Sequence, residues 1–561
     1  GMETKLLIGN NGLKDLRGHY FETGISTAAA ARAAGLRPIL AAHATCPDGL
    51  VPPEIECLPL CRTDHWVAGG VATGPDLAGV RCRPAEMPRT SIDRVLDTPD
   101  GFAEYLAARF PTPTPAPVAV PAPGRPAAAL PAKPGRAARL KRFVPPLLWS
   151  LARACRPRVL ARTLFRTLKP LLPPVLTDLV KAKLRRPAPV PPPAPNPVAV
   201  VPSVVPPAAG DPLLTRLRAT GLEAEFGYVR AYEEDLEQLL GLTGVGPGDH
   251  VFIPTAHGRE LVAVREIVEK YGADRCPTFH LEFRHALDGD PNGRLADLPP
   301  YTRAHAVFFE LYRRAPEHPS VRLYTDTEEL TRVYGDFSGL SFATLPIPFR
   351  AELIAERCRR PGDPLCLTFI GDVRDEKGYP WLPALVDALR PEAEAGRVRF
   401  AFQSTLVDQH NNPASVAALS RLRAAGDPFV DLVGLRGPLH PDEYYALVSG
   451  ADVLLCPYDP VTYRCRSSGT MTEAAAAGIP TVVPADTWLE RQQPAGTGTR
   501  FSDLSSFVAA VKDVAGRYGE YRAAARAHRD AWRRVHNPAA LIRALVGPAP
   551  VEPVTAVRPA A

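Results

Sequence analysis

The stretch from 451 to 484 constrains the fold of this chain more than any other. It reads ADVLLCPYDPVTYRCRSSGTMTEAAAAGIPTVVP, and its first and last apolar runs are typical of buried parallel strands. The Ala-rich segment between them predicts a helix that ends at Gly478, because glycine readily takes the left-handed conformation found at helix C-termini. A strand, a helix and a second strand in this order form the repeating unit of an α/β sheet.

The beginning of the predicted helix is suited to an anionic ligand. Ser467, Ser468, Gly469 and Thr470 lie where the first backbone N–H groups of a helix have no intrahelical acceptor. Such amides, with the neighbouring hydroxyls and a glycine that permits close approach, form a typical phosphate site. Glu473 follows one turn later and can accept a hydrogen bond from a hydroxyl. These residues predict a site for an anionic, hydroxyl-bearing ligand, and a nucleotide sugar has both properties.

The same alternation of strands and helices recurs along most of the chain. KLLIGN, TGISTAAAARAAG and LRPILAAHA form an opening βαβ unit, and a second series follows SFATLPIPF with strands such as PLCLTFIGD, RVRFAFQS and DPFVDLVGL. We therefore expect an α/β fold with two Rossmann-like, doubly wound domains facing each other across a cleft. The expected organisation is a first domain in two parts, 2–110 and 211–350, a long Pro-rich insertion at 111–210, a second domain at 351–545 and a flexible tail at 546–561.

Two cations follow one of the predicted strands. In LTFIGDVRDEKG the strand ends at Gly371, and Arg374 and Lys377 lie in the loop after it. Cations at a strand end that faces a phosphate-type helix start would neutralise a diphosphate leaving group without a metal. The alternative is that both side chains form surface ion pairs with Asp375 and Glu376.

Weaker signals complete the candidate site. Gly434 ends another strand, and the helix that starts near Pro441 could form the wall against which a nucleotide base lies. In the first domain, His19 lies in the loop after the first strand and His257 follows VFIPT, so either could contact the transferred sugar or an acceptor. A single histidine can equally be structural, and the acids after Pro441 can simply complement the helix dipole.

The charge of the chain is concentrated in one segment. The formal net charge is +6, yet 133–186 contains 15 Lys/Arg and only one acid, Asp178, a local net of +14. The remainder is therefore about −8, so we expect no nucleic-acid partner for the folded domains. Arginines on one face of 158–169 with leucines opposite indicate contact with an anionic membrane surface. A solvated basic linker, or short helices packed on the protein's own surface, are the alternatives.

The cysteines point to a reducing compartment. Ten cysteines without a C-x-x-C pair do not form a disulfide framework. His43, Cys46, Cys57, Cys61 and His65 could be imagined as a zinc site, but their spacing matches no zinc motif and favours buried, small apolar cysteines. No signal peptide is recognised, and no apolar run reaches the ~18 residues of a spanning helix. We expect a cytoplasmic protein, peripheral on the inner face of the membrane.

Three segments together give a resemblance to a known family. FIGDVRDEKG and SSGTMTEAAAAGIPTVV resemble the donor-binding elements of GT-B nucleotide-sugar glycosyltransferases, most closely the retaining family-4 group and its family-1 (group-1) neighbours. The resemblance implies that Lys377 and Arg374 hold the donor diphosphate, that Glu473 contacts the ribose and that Arg466 belongs to the donor loop. The family often has a glutamate eight residues before Glu473, where this chain has Cys465. The loop near Gly18-His19 resembles the acceptor-side loop.

The implied reaction is sugar transfer from a nucleoside-diphosphate sugar to a hydroxyl on a glycan, polysaccharide or glycolipid acceptor. It is metal-independent and retaining, and it needs no cofactor. One alternative is a catalytically degenerate protein of the same fold that binds nucleotide sugars or serves as a scaffold. Another is a sugar-nucleotide epimerase, and a third is a nucleic-acid tether in which Trp149 and Phe165 of the insertion stack on bases.

Overall fold

The structure is a computed structural model with side chains. The residues that it describes are 3–14, 18–63, 211–287, 298–313, 320–406, 409 and 411–547. The insertion at 111–210, including the basic segment 133–186, lies outside these residues, as do His65 and the tail from 548 onward. The predictions of membrane contact, nucleic-acid tethering and a flexible tail therefore stay predictions.

Two parallel sheets form the framework of the described residues. The first has the strand order β3-β2-β1-β4-β5-β6-β7, with every pair parallel. The second has the order β10-β9-β8-β11-β12-β13, again with every pair parallel. The strands are β1 Lys5–Asn10, β2 Arg37–His43, β3 Glu56–Cys61, β4 His250–Ile253, β5 Thr278–Phe283, β6 Val321–Thr325, β7 Phe342–Thr344, β8 Leu365–Phe369, β9 Val398–Gln403, β10 Val430–Val433, β11 Val453–Leu455, β12 Thr481–Pro484 and β13 Gly498–Phe501.

Helices cover these sheets, as parallel strands require crossover connections. Within the described ranges they are α1 Gly18–Ala33, α2 Pro212–Ala219, α3 Phe226–Thr243, α4 Gly258–Tyr271, α5 Pro300–Arg313, α6 Glu328–Ser338, α7 Leu382–Ala388, α8 Arg390–Glu394, α9 Pro413–Ala425, α10 Pro441–Ser449, α11 Gly469–Ala477, α12 Trp488–Arg491, α13 Leu504–Gly516, α14 Tyr518–Val535 and α15 Pro538–Val546. The expected α/β fold with two Rossmann-like sheets is confirmed.

Both sheets reverse their strand order at one point, and this point locates the ligand cleft. The reversal lies between β1 and β4 in the first sheet and between β8 and β11 in the second. In open parallel sheets, ligands bind beyond the strand carboxyl ends at such a point. The loops that follow β8 and β11 are those that carry the predicted cations and the predicted phosphate-binding helix start.

Several elements differ from the sequence-based expectation. Helix α1 begins at Gly18, five residues before the predicted start at Thr23, so His19 lies in a helix and not in a loop. Strands β3 and β13 were not predicted, because ECLPLC contains a proline and GTRF has no apolar run. Residues Phe342–Thr344, expected to be part of the connecting link, form the edge strand β7 of the first sheet.

Several helices begin or end at residues whose local chemistry favours a cap. Gly478 ends α11 with φ +67, as predicted, and a Cβ there would lie 3.0 Å from the Cα of Arg526. Asp211, Thr327 and Asn537 accept hydrogen bonds from the first-turn amides of α2, α6 and α15. These short polar residues satisfy amides that have no acceptor within the helix.

The last helix returns to the first sheet. Leu541, Ile542 and Leu545 of α15 are fully buried in a cluster that contains Leu6 and Ile8 of β1. At the turn before α15, His536 accepts a hydrogen bond at Nδ1 from the backbone amide of Ile347, 3.1 Å away. Ile347 belongs to the link that carries the chain from β7 to the second sheet, so the chain's two crossings between the sheets touch each other.

Spanning helices were also searched for in the described part of the chain. None of its helices has both the length and the apolar character that crossing a bilayer demands.

We predict that Leu545→Ala lowers the free energy of unfolding by about 2–5 kcal/mol, because it leaves a cavity in a fully buried contact. The matched control is Arg543→Ala on the exposed face of the same helix, which should change stability by less than about 0.5 kcal/mol. Chemical denaturation followed by circular dichroism measures both. Equal effects of the two variants would show that α15 is not docked on the first sheet.

Candidate functional site

A cavity of about 330 Å³ lies between the carboxyl ends of the two sheets. The second sheet contributes most of its walls, and the first contributes Arg284 and the beginning of α1. Seven of the ten predicted donor-binding residues line it: Gly371, Arg374, Lys377, Ser467, Gly469, Thr470 and Glu473. A volume of this size is in the range of small-molecule sites. We call it the donor cavity.

The loop after β8 takes its shape from two glycines with positive φ. Gly371 has φ +146, and its amide donates to the side-chain oxygen of Gln403 at 3.0 Å. Gly378 has φ +73, and a Cβ at this position would meet the carbonyl oxygen of Pro457 at 1.7 Å. Only glycine fits there, because both the backbone angle and the close contact exclude a side chain. This turn brings Lys377 against the loop after β11.

Lys377 is held by two aromatic rings. Its Nζ lies 4.1 Å from the ring centroid of Tyr458 and 4.9 Å from that of Tyr463. Burial lowers the pKa of Lys377, but interactions with Tyr458 and Tyr463 outweigh burial, so the net shift is upward and the amine stays charged. Within the described residues, no carboxylate forms an ion pair with it. The surface ion pair considered for Lys377 is therefore not formed, and its charge faces the donor cavity.

The other members of this loop are already paired. The guanidinium of Arg374 forms an ion pair with Glu376, with Nη1 and Oε1 3.0 Å apart, while the side chain still lines the donor cavity. Asp375 accepts hydrogen bonds from the amide and hydroxyl of Ser415, at 2.8 and 2.6 Å, and so ties the loop to the first turn of α9. Arg374 therefore forms the surface ion pair that was considered as the alternative. A ligand phosphate could compete with Glu376 for its guanidinium.

The start of α11 lies opposite this loop. Ser468 caps the helix by accepting from the amide of Met471 at 3.4 Å, and Ser467 donates its hydroxyl to Asp326 of the first sheet. Both serine hydroxyls are therefore engaged within the protein, whereas the sequence predicted that they belong to the ligand site. The amides of Gly469 and Thr470 precede the first intrahelical hydrogen bond and remain as donors toward the cavity.

Glu473 is buried on the next turn of α11. The hydroxyl of Tyr444 donates to both carboxylate oxygens, at 2.9 and 2.8 Å. Burial raises the pKa of Glu473 to about 8, against lowering contributions from Tyr444 and Lys377, and the neighbouring Glu22 raises it further. A carboxyl group held this way is a fixed hydrogen-bonding partner for a ligand hydroxyl.

Three predicted donor residues do not line this cavity. Gly434 has φ +79 and lies beside Thr405, and its loop instead contributes Pro438, Leu439 and Pro441 to the wall. Ser468 is buried behind the helix start, and Arg466 lines a neighbouring cavity. Their roles in donor binding stay predictions, with the loop after Gly434 offering the apolar surface expected beside a base.

Asp326 joins the two sheets at the edge of the donor cavity. This buried carboxylate follows β6 and pairs with Nε of Arg284 at 2.9 Å, while the hydroxyl of Ser467 donates to it. Next to it, the hydroxyl of Thr327 donates to the carbonyl oxygen of Cys465 at 2.7 Å. The donor loop of the second sheet is therefore fixed to a strand end of the first.

This docking explains the position of Cys465. Its side chain packs against the hydrophobic core of the first sheet and is not among the residues that line the donor cavity. Burial raises the pKa of the Cys465 thiol. An apolar contact between the sheets thus stands where the resembling family often has a glutamate.

A second, larger cavity of about 770 Å³ adjoins the first. His257 lines it, together with His285, Arg303, His305 and Arg466. His257 precedes α4, and its backbone amide donates to Glu260 at 2.8 Å. The side chain of His19, the other predicted histidine, lies outside the described part of the structure. His257 does not line the donor cavity, and the catalytic roles of both histidines stay predictions.

Sequence reasoning missed the residues that the first sheet contributes. Glu22 and Arg284 line the donor cavity, and Glu22 also forms a bidentate pair with Arg350, at 2.8 and 3.1 Å. The only available signal was their position after the strands β1 and β5. The sequence contains the tyrosines that hold Lys377, but their contact with its amine depends on the turn at Gly378.

Metal ligands were also considered. Among the described residues, no group of three or more His, Cys, Asp or Glu side chains is placed to hold a metal ion. Cys46 and Cys61 are buried and Cys57 is half-buried, and burial raises the pKa of Cys57 to about 12.

Comparisons with known proteins find similarity of structure only. No family model and no curated protein matches the chain. Sucrose-phosphate synthase from Thermosynechococcus elongatus is 14% identical, covering 55% of this chain and 74% of its own, with a TM-score of 0.42. The UDP-forming α,α-trehalose-phosphate synthase of Burkholderia xenovorans is 15% identical, over 56% and 77%, with a TM-score of 0.40. Anabaena HepE, in complex with UDP, is 12% identical, over 59% and 82%, with a TM-score of 0.40.

We predict a pH-dependent contribution of Glu473 to stability. Its pKa is 4.5 when exposed and about 8 in the fold, so between these values the folded protein binds more protons than the unfolded chain. Its contribution therefore falls as pH rises from about 5 to 8. In Glu473→Gln the amide oxygen still accepts from Tyr444, but the side chain no longer titrates, so this pH dependence of stability should disappear. Relative to the wild type, the substitution should therefore be more stabilising at pH 8 than at pH 5.

Denaturation curves at pH 5, 6.5 and 8 test this prediction. The control is Glu394→Gln, an exposed residue of α8, which should follow the wild type at every pH. An unchanged slope in Glu473→Gln would contradict the buried, protonated carboxyl group.

Proposed function

We propose that this protein transfers a sugar from a nucleoside-diphosphate sugar to an acceptor hydroxyl. The observation that carries the proposal is Lys377, a charged amine fixed by Tyr458 and Tyr463 in the cavity that also holds the α11 amides. A cation without a protein carboxylate, facing backbone N–H donors, is suited to a ligand with several phosphate oxygens. The resemblance of 367–378 and 467–483 to donor-binding elements agrees with this chemistry.

Each part of the donor has a matching surface in the proposed complex. The diphosphate lies between Lys377 and the amides of Gly469 and Thr470. Glu473 accepts from the ribose hydroxyls, a role in which it exchanges or shares the hydrogen bond from Tyr444. The base lies against the wall formed by the loop after Gly434, and Arg374 leaves Glu376 to reach a phosphate oxygen.

In the proposed reaction, the bond between the anomeric carbon and the β-phosphate oxygen breaks as the acceptor oxygen bonds to that carbon. The acceptor proton passes to the leaving diphosphate, so no protein base is required, in keeping with a retaining reaction. Fixed cations and amides stabilise the charge that develops on the leaving group. We also propose that no metal is needed, since Lys377 and Arg374 supply this charge.

The acceptor hydroxyl is proposed to belong to a glycan or a lipid-linked sugar. A cytoplasmic location, with peripheral attachment through 133–186, is part of the same proposal. Sedimentation with anionic liposomes, with and without 111–210, tests the attachment separately from the chemistry.

A thermal-shift screen with UDP-, GDP- and ADP-sugars tests the donor directly. We expect the sugar nucleotides of one base to raise the melting temperature of the protein as their concentration increases, because ligand binding to the folded state stabilises it. Release of the nucleoside diphosphate in the presence of acceptors then tests transfer. Binding without any release would instead favour a nucleotide-sugar-binding scaffold, an alternative that the apolar position of Cys465 keeps open.

We predict that Lys377→Ala weakens donor affinity roughly tenfold or more, the loss expected for a hydrogen bond to a charged group. Lys512→Ala, which removes an exposed lysine from α13, is the control and should bind the donor like the wild type. Isothermal titration calorimetry with the sugar nucleotide found in the screen measures both. Wild-type affinity in Lys377→Ala would rule out the proposed diphosphate position.

A further inference from the structure

One face of α14 carries a row of arginines that line a small cavity. Their spacing of three or four residues places the side chains on the same side of the helix. These residues are Arg522, Arg526, Arg529 and Arg533, all of them half-buried. The next residue, Arg534, is exposed and is not among the residues that line the cavity. We call this recess the arginine cavity.

The arginine cavity and the donor cavity lie at opposite edges of the second sheet. Asp452 precedes β11 and Pro480 precedes β12, and both line the arginine cavity, so it lies at the amino ends of these strands. Helix α11 connects the two cavities, since Gly469 at its start lines the donor cavity and Ala477 at its end lines the arginine cavity. The nine residues of this helix span about 13 Å. A ligand in the arginine cavity is therefore out of reach of the atoms at the donor site.

Part of the positive charge of the arginine cavity is used within the protein. Nε of Arg357 lies 3.1 Å from Oδ1 of the buried Asp452, and Nη1 of Arg522 lies 3.7 Å from the same atom. These two guanidinium groups thus share one carboxylate. Arg526 forms an ion pair with Glu356, whose side chain is 58% exposed. A surface pair of this kind contributes little to stability, so a ligand anion can replace Glu356.

The two remaining arginines are only weakly neutralised. Nε of Arg529 lies 3.3 Å from Oδ1 of its neighbour in sequence, Asp530, whose side chain is 67% exposed. Arg533 donates from Nε to the carbonyl oxygen of Ala476 at 2.6 Å, and within the described part of the chain no carboxylate forms an ion pair with it. Burial lowers the pKa of Arg533, and repulsion from Arg529 lowers it further, against weaker attraction from three exposed acids. Two neighbouring cations therefore share a single exposed acid.

The size of the arginine cavity limits what it can hold. Its volume is about 30 Å³, which is room for about two water molecules. A sugar ring or a nucleotide does not fit in this space, whereas one compact oxyanion does, with the rest of its molecule outside. A phosphate monoester carries nearly two negative charges at neutral pH, and its oxygens match the N–H groups of guanidinium. One phosphate group would thus neutralise both weakly paired cations.

We propose that the arginine cavity binds the phosphate group of a ligand other than the sugar nucleotide, through Arg526, Arg529 and Arg533. In this complex the phosphate takes the place of Glu356 on Arg526 and supplies the acceptors that the other two guanidinium groups lack. A free phosphate compound and the headgroup of a lipid such as phosphatidic acid present the same chemical group. The proposal does not depend on the proposed function, because none of these arginines lines the donor cavity.

Calorimetric titration of the full chain with inorganic phosphate, at constant ionic strength, tests the proposal. The protein carries Lys377→Ala, which weakens any binding of phosphate in the donor cavity. We expect saturable binding of one phosphate per chain, and the absence of saturable binding would overturn the proposal. Monomeric dihexanoyl phosphatidic acid is titrated in the same way. Tighter binding of this lipid would identify a lipid headgroup as the ligand, and equal binding would indicate a free phosphate compound.

Variants in the same background assign the phosphate to the arginine cavity. Arg529→Gln and Arg533→Gln should each weaken phosphate binding about tenfold or more, the loss expected for a hydrogen bond between charged groups. Arg534→Gln, which removes an exposed charge from the same helix, is the matched control and should stay within twofold of its parent. Melting curves show whether each variant is folded, and Arg529→Gln carries the test if Arg533→Gln is not.

Two results with these variants would overturn the proposal. Equal weakening in Arg529→Gln, Arg533→Gln and Arg534→Gln would show a general attraction of anions to α14 and no defined site. Unchanged affinity in both Arg529→Gln and Arg533→Gln would place the phosphate elsewhere on the protein.

Discussion

A single buried carboxylate joins the two halves of the site. Asp326 follows the strand β6 of the first sheet, pairs with Arg284, and accepts from Ser467 in the loop after β11 of the second sheet. A buried charge is costly unless it is paired, so removing Arg284 would leave an uncompensated carboxylate. Together with the hydrogen bond from Thr327 to the carbonyl oxygen of Cys465, this contact fixes the donor loop to the first sheet.

The shape of the donor cavity depends on backbone conformation as much as on side chains. Gly378 can approach Pro457 because it has no Cβ, and this contact places Lys377 on the rings of Tyr458 and Tyr463. The amine is thereby oriented before any ligand arrives, which lowers the ordering cost of binding. Glu473, held by a tyrosine hydroxyl, is arranged in the same manner. The site combines a fixed cation with a fixed acceptor, as a ligand with phosphates at one end and hydroxyls at the other requires.

The sequence was most informative where local chemistry decides the structure. Apolar runs and glycine-terminated helices predicted both sheets and the helix α11, because these signals lie within a few residues of each other. The edge strand β3 was missed, since its proline and polar start give no strand pattern. The use of the Ser467 hydroxyl could not be predicted either, because its partner Asp326 lies 141 residues away in sequence. Seven of the ten predicted donor residues line one cavity, yet the hydrogen-bond partners of Ser467 and Glu473 lie outside the local pattern that predicted them.

The hydrogen bond between Ile347 and His536 has a consequence for motion. Among the residues that the structure describes, the chain passes between the sheets once in each direction, and this bond holds the two passages side by side. Two covalent connections at one place act as one hinge, about which the sheets can turn without breaking the backbone. A widening of the cleft about this hinge would be greatest on the side away from Ile347 and His536. The hydrogen bond from Ser467 to Asp326 joins the two sheets and would oppose such a widening.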